Sequence, residues 1–177
     1  MNGSTQARES RPLGSVIGAA AHAIQEVLSP GDVAALRRLR PEDLSVPAFW
    51  RVCVGHLSDV LPEDGATRDE HERRWAVIMQ AMAELRGLHV PSCRLGHALA
   101  AADIAEARVL RLLRAGGESL FDSVRVIARH LATTATPVSC TDLALLVLSD
   151  GRTDDEPVRR RIARDYYSRL DRKEAVG

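Results

Sequence analysis

Helix-start signals recur along the whole sequence, and they constrain the fold more than any other feature. A serine or aspartate just before a helix accepts a hydrogen bond from a free backbone N–H of the first turn. The predicted starts of this kind are Ser15, Ser29, Ser45, Ser92, Asp103 and Ser139. No stretch alternates apolar and polar residues with many β-branched side chains, as a strand would. We therefore expect an all-α protein, a single compact bundle of eight or nine helices.

Two of these starts carry a second polar residue at the position that completes a capping box. Glu106 stands three residues after Asp103, and Asp142 stands three residues after Ser139. Pro157 is expected to open the last helix, because a proline fits the first turn, where its missing N–H costs nothing.

The sequence also indicates how the chain is divided. Residues 1–14 are polar without periodicity, so we expect a disordered tail there and a helical domain over residues 15–173. One helix is expected to end at Leu85, with a glycine two residues further on. The stretch 87–91 can divide the bundle into two halves, although no long linker separates them.

Acidic and basic residues balance over the whole chain, 24 against 24, but they are unevenly placed. Residues 157–173 hold seven basic and two acidic residues, a local balance of +5. Residues 59–72 hold one basic and six acidic residues, a local balance of −5. Lys173 is the only lysine, and arginine presents a planar fork that suits phosphate. The pattern predicts a polarised surface.

Catalytic and metal-binding patterns are absent from the sequence. No two of the six histidines are three or four residues apart, and no phosphate-binding glycine loop or nucleophile elbow occurs. The acidic group Asp150, Asp154, Asp155 and Glu156 could hold Mg²⁺, but its place before a helix favours an interaction with the helix dipole. We expect no enzymatic activity, no metal and no cofactor.

The cysteines and the hydropathy indicate a cytoplasmic protein without a membrane partner. Cys53, Cys93 and Cys140 are widely spaced and form no CxxC motif, which is typical of free thiols in a reducing compartment. The apolar run that begins at Leu13 continues as an amphipathic helix, so we expect no secretion signal. No apolar run approaches the roughly 18 residues that a membrane span needs.

Arginines gather on single faces of several helices. In "EARVLRLLRA" the three arginines fall within an arc of about 120° at 100° per residue, and in the last helix they lie opposite Ile162, Tyr166 and Leu170. We interpret these faces as a phosphate-binding surface that ignores base sequence, with little base stacking because only six residues are aromatic. The candidate residues are Arg37, Arg38, Arg108, Arg111, Arg114, Arg125, Arg129, Arg160, Arg161 and Arg164.

An ordered series of segments over residues 31–168 resembles one protein family. The segments are "GDVAALRRLRP", "FWRV", "RLGHALA", "EARVLRLLRA", "SLFDSVRVIARHLA", "DLALLVLS" and "VRRRIARDYY". In this order they are similar to the small helical subunit of the type I-E CRISPR Cascade complex, the CasB family. The resemblance implies an all-helical, non-enzymatic protein that contacts the guide RNA and the target strand and steadies the displaced DNA strand of the R-loop. It also implies contacts with the backbone and large subunits and with a second copy of the chain.

Two other interpretations of the residues stay open. Residues 139–167 could form a helix-turn-helix of a stand-alone DNA-binding regulator, although the connecting loop is longer than the usual three or four residues. Alternatively, the protein is an adaptor whose arginines pair with acidic partner surfaces. A regulator would bind one duplex sequence far more tightly than others, and an adaptor would ignore nucleic acid.

Overall fold

Nine α-helices account for most of the part of the chain that the computed structural model describes, which is residues 11–63 and 65–174. They are α1 (Leu13–His22), α2 (Pro30–Arg37), α3 (Pro47–Val52), α4 (Gly65–Glu84), α5 (Leu95–Ala101), α6 (Glu106–Arg114), α7 (Glu118–Thr133), α8 (Cys140–Ser149) and α9 (Asp155–Glu174). A π-helical turn continues α1 over Ala23–Val27 and α3 over Cys53–Leu57. These residues contain two isolated β-bridges and no strand, so the all-α prediction is confirmed. Among the described helices, none is long and apolar enough to cross a membrane.

Two of the predicted helix caps are present. Ser29 Oγ accepts a hydrogen bond from the backbone N–H of Asp32 at 3.1 Å, with Pro30 in the first turn. Ser139 Oγ accepts one from the backbone N–H of Asp142 at 3.3 Å. The backbone of both serines is extended, so each side chain can turn back over the first turn of its helix.

Two other predicted caps are wrong because the chain enters the helix at a later residue. Asp103 has a φ of 52°, which leaves it in the left-handed region, and α6 begins only at Glu106 without a side-chain cap. Pro47 occupies the first turn of α3, where its fixed φ already suits the helix. α3 therefore begins two residues after Ser45, which makes no cap.

The remaining starts are displaced by a few residues. α1 begins two residues before Ser15, α5 three residues after Ser92, and α9 two residues before Pro157. α4 begins at Gly65, whose φ is in the left-handed region. The tail predicted for residues 1–14 lies mostly outside the described residues.

α4 lies at the centre of the bundle. Residues 75–83 of this helix are all buried, as expected where neighbours cover every side of a helix. α2, α7 and α8 pack against it. One hydrophobic core runs from Val16 to Tyr166, so the two predicted halves share it. α4 therefore holds its polar side chains at a fixed place between α2 and α7.

α9 packs along α5, and this contact determines which α9 side chains reach solvent. Gly96 allows the close approach, because a Cβ at this position would lie 2.3 Å from the carbonyl oxygen of Ile162. Ile162 and Tyr166 are buried and Leu170 packs on the core, so the predicted apolar stripe is confirmed. The hydroxyl of Tyr166 also donates to the carbonyl of Ile104 at 2.8 Å.

Candidate nucleic-acid interface

Arginines of α2 and α7 meet at one carboxylate at the end of α4. Glu84 places one carboxylate oxygen 3.9 Å from Arg37 Nε and the other 3.7 Å from Arg129 Nε. The carboxylate is mostly buried, while both guanidinium groups reach solvent. We call Arg37, Arg125 and Arg129, together with Gln80 and Glu84, the Glu84 cluster. The arginines predicted separately on α2 and α7 thus belong to one basic cluster.

Gln80 joins the two helices of this cluster. Its amide nitrogen donates to the carbonyl of Arg37 at 2.9 Å, and its amide oxygen accepts from Arg125 Nε at 3.0 Å. Gln80 is the only polar residue within the buried stretch 75–83, and a buried amide needs such partners. That isolated polar position is the sequence signal that could have identified it. Arg38, next to Arg37, is exposed and has no ion pair among the described residues.

The predicted arginines of α6 form a row beside a groove. Arg108, Arg111 and Arg114, which we call the α6 row, are all exposed, and in the described part of the chain no carboxylate pairs with them. They line a groove of about 770 Å³ between α6 and α7, together with the apolar side chains of Leu110 and Val126. The row therefore presents three permanently charged guanidinium groups, and no neighbouring carboxylate pairs with them.

The groove and the Glu84 cluster lie on either side of the exposed face of α7. At 100° per residue, Arg125 lies on one flank of α7 and Ser123 on the flank that lines the groove, with Asp122 and Arg129 between them. Asp122 is 74% exposed and pairs with Arg125 at 3.2 Å. We call the α6 row, the Glu84 cluster with Arg38, and the face of α7 between them the arginine surface. Arginines from three helices border it.

The arginines predicted as a set on α9 have different environments. Arg160 is exposed and pairs with Glu156 at 2.8 Å. Arg164 is exposed and has no ion pair among the residues that the structure describes. Arg161 is about one-third exposed and pairs with Asp142 at 3.0 Å. The structure thus brings Arg160 and Arg164 to one exposed face and holds Arg161 at the contact with α8.

The first arginine of the run 159–161 points inward and is not among the predicted site residues. Arg159 pairs with Asp150 at 2.9 Å and also with Asp155, and it donates to the carbonyl of Ala115 at 2.8 Å. The acidic group considered for Mg²⁺ therefore binds an arginine through two of its carboxylates. In the searched, described residues, no three His, Cys, Asp or Glu side chains form a group that could hold a metal ion.

Three of the six acidic residues in the segment 59–72 form ion pairs with arginines. Arg11 donates a hydrogen bond to Asp59, which lowers the pKa of that carboxyl to about 2. The segment is therefore less negative at the surface than its sequence suggests, whereas the α6 row keeps its full charge. The ion pairs of the acidic segment, within its described residues, are Arg11–Asp59, Arg68–Glu72 and Arg74–Glu70.

The three cysteines are free thiols, and two of them are buried. Burial raises the pKa of the Cys140 thiol to about 12. Burial, together with the nearby charge of Glu72, raises the pKa of the Cys53 thiol to about 12 as well. Because the thiolate is the reactive form, these two side chains are packing residues at neutral pH.

These features define an all-α protein in which arginines from three helices border one surface. The family model of CRISPR-associated protein Cse2 matches residues 32–167. The chain therefore belongs to the CRISPR-associated protein Cse2 family. CasB is another name for this family, so the resemblance noted in the sequence is confirmed.

The fold is also similar to that of a solved structure. A chain in the crystal structure of E. coli Cascade bound to a PAM-containing dsDNA target (32-nt spacer), at 3.20 Å resolution, superposes with a TM-score of 0.67. The two chains are 22% identical, and the match covers 88% of this chain and 96% of that one. At this identity the likeness shows a shared fold. Among curated proteins, the chain finds no match.

Proposed function

We propose that the protein is a non-enzymatic subunit of a type I-E Cascade complex, the RNA-guided surveillance complex of CRISPR antiviral defence. In this role it contacts the guide RNA and both strands of the opened target DNA, and it steadies the displaced strand of the R-loop. The other proposed partners are the backbone and large subunits and a second copy of the chain. Family membership and the fold shared with a chain of E. coli Cascade support this proposal.

The observation that carries the proposal at the residue level is the unpaired α6 row beside its groove. A guanidinium without a carboxylate partner can bind a phosphate without first giving up an ion pair. The Glu84 cluster adds Arg37 and Arg129 across the exposed face of α7, and both reach solvent. Two lines of positive charge on one surface suit a strand that crosses it. Contacts with phosphates position the nucleic-acid backbone and do not distinguish one base from another.

No catalytic step is needed for this role. Asp155 is one of the four acidic residues considered for Mg²⁺, and its carboxylate is held by Arg159 at the start of α9. We expect the pure protein to leave DNA and RNA intact in the presence of Mg²⁺. Cleavage that disappears in D154A or D155A would contradict this part of the proposal.

The proposed interface is tested by the salt dependence of binding. If about five phosphates of a single strand are contacted, log affinity should fall against log salt with a slope of roughly −3 to −4. Replacing the α6 row by alanine (R108A/R111A/R114A) should weaken binding about equally for every sequence and flatten the slope by about 2, because each lost contact contributes roughly 0.7. The same variant in the assembled complex should shorten the lifetime of the R-loop.

A charge-matched control removes three arginines from other surfaces. Arg51, Arg86 and Arg152 are exposed and contact Asp32, Gln25 and His71 rather than the arginine surface. R51A/R86A/R152A changes the net charge by the same amount, so it should leave the salt slope within error of the parent value. Equal losses in the two triple variants would place the interface elsewhere. Preference for one duplex sequence would favour the regulator, and the absence of binding would favour the adaptor.

A further inference from the structure

An aromatic side chain lies on the exposed face of α9 beside two of its arginines. Tyr167 is 36% exposed, whereas the neighbouring Tyr166 is buried. Arg160, Arg164 and Tyr167 are spaced i, i+4 and i+7, which places them within an arc of about 60° on an α-helix. Both arginines are exposed on this face. About two turns of helix therefore present positive charge and an aromatic ring together.

The ring of Tyr167 is held in place from two sides. Its hydroxyl donates to Glu106 Oε1 at 2.6 Å, and the ring of Tyr166 meets it edge-on, with centroids 5.3 Å apart and an interplanar angle of 79°. An edge-on neighbour covers at most one face of a ring. The hydrogen bond to Glu106 raises the pKa of Tyr167, while the charge of Arg114 acts in the opposite direction, so the α6 row reaches this site.

We infer that Tyr167 stacks against one base of a single-stranded nucleic acid whose phosphates run along Arg160 and Arg164. This inference rests on the proposed function and adds a base contact to it. An aromatic ring with a fixed orientation loses little conformational freedom when a base stacks on it. Every base has a π-face, so the contact tolerates any sequence.

The charges around the ring determine how the strand lies. Glu106 holds a negative charge at the hydroxyl end of Tyr167, and this end repels phosphate. This repulsion favours phosphates along Arg160 and Arg164, with the base on the ring. A duplex keeps its bases stacked inside, so only an unpaired strand can use the ring. The few aromatics in the sequence predict little stacking overall, and the structure places this one where a strand can reach it.

The test compares strands that carry the same phosphates with and without bases. Probes are a short labelled oligo(dT) and a fully abasic strand of equal length, titrated into the full chain. The parent protein should bind oligo(dT) about five- to a hundredfold more tightly, since stacking contributes at this level per base. Y167L should lose that preference and Y167F should keep it, while all variants keep the salt slope. A parallel series with oligo(U) separates a DNA ligand from an RNA ligand.

The matched control is Trp50, an aromatic of similar exposure (38%) on α3, whose ring nitrogen donates to the carbonyl of Leu44. W50L should keep the preference for bases. The inference is overturned if the parent binds both strands equally, or if Y167L weakens binding to both strands by the same factor. Binding to neither strand would overturn the proposed function as well. Circular dichroism of Y167L and Y167F confirms that each variant is folded before its affinity is compared.

Discussion

Arg159 and Asp150 form an ion pair at 2.9 Å in which the two side chains are only 11% and 10% exposed. The other carboxylate oxygen of Asp150 accepts from the backbone N–H of Gly117 at 2.8 Å, just before α7. Arg159 donates in turn to the carbonyl of Ala115 just after α6. One buried ion pair therefore links the end of α6, the start of α7 and the start of α9 to one another. It links the helices that carry the α6 row and line its groove.

Removing one partner of this pair should destabilise the fold. R159A leaves the buried carboxylate of Asp150 without its counter-charge, and the expected loss is about 3–5 kcal/mol of unfolding free energy. Urea unfolding followed by circular dichroism measures this loss, provided that the dependence of the unfolding free energy on urea concentration is the same in both proteins.

The next residue along the chain is the control. Arg160 carries the same side chain, and its one ion pair within the described part of the chain is with the exposed Glu156. R160A should therefore change the unfolding free energy by less than about 1 kcal/mol. Similar losses for R159A and R160A would show that the two arginines share one environment, against the structure.

The contrast between these neighbours marks the limit of prediction from sequence. Arg160, Arg161 and Arg164 lie opposite the apolar stripe in the sequence and predict a basic helix face, and the structure exposes Arg160 and Arg164 on that face. The partner of Arg159 lies in the loop before α9, and the carbonyl of Ala115 lies 44 residues away. Neither contact leaves a periodic signal. At 100° per residue Arg159 lies between Tyr166 and Leu170, on the apolar side of α9, so the sequence indicates which arginine turns inward but not the groups that it contacts.

The helix starts also show that sequence predicts contacts between neighbouring residues better than contacts set by packing. The caps at Ser29 and Ser139 depend only on residues within one turn, and both are found. The predicted cap at Asp103 fails because the chain there adopts a left-handed φ on its way from α5 to α6. Such a conformation is set by how the two helices pack, which residue types alone do not reveal.

The contact between α5 and α9 predicts a strong effect from one added methyl group. G96A would place a Cβ 2.3 Å from the carbonyl oxygen of Ile162 and 2.6 Å from Asp165 Cβ, so the helices must separate. We expect a loss of about 1–3 kcal/mol in unfolding free energy, as for other overpacked cores. Thermal and urea unfolding both measure it.

A second glycine provides the comparison for this variant. Gly18 lies inside α1, and nothing stands within 4 Å of the Cβ that alanine would add. G18A should therefore stabilise the protein by about 0.5–1 kcal/mol, because glycine loses more backbone freedom than alanine on folding. If G96A were as stable as G18A, α5 and α9 could not be packed as closely as described.

The ion pair of Arg11 and Asp59 predicts a titration at low pH. The hydrogen bond from Arg11 lowers the pKa of Asp59 to about 2, below its unfolded value of about 3.9. The pair therefore contributes stability that is fully present above about pH 4 and is lost as the pH falls through about 2. In R11A, the Asp59 pKa measured by carboxyl NMR should return to near 4. The carboxyl of Glu70, whose pKa is lowered by Arg74, should not change.

Asp122 is an exposed acidic side chain within the arginine surface, and its removal should tighten binding. Asp122 lines the groove beside the α6 row and repels any phosphate that enters it. Since a unit charge at several ångströms contributes about 0.5–1 kcal/mol near water, D122N should bind a single strand about two- to fivefold more tightly. The gain should shrink at high salt, because screening reduces interactions between exposed charges.

The comparison for this gain is D69N, which removes another exposed charge, from α4 in the acidic segment. D69N should bind like the parent. A gain in affinity is informative because partial unfolding cannot produce it. If D122N and D69N changed the affinity equally, net charge alone would account for binding. If D122N left the affinity unchanged, the strand would lie away from the groove and from Arg125. Only a gain confined to D122N places phosphates between α6 and α7.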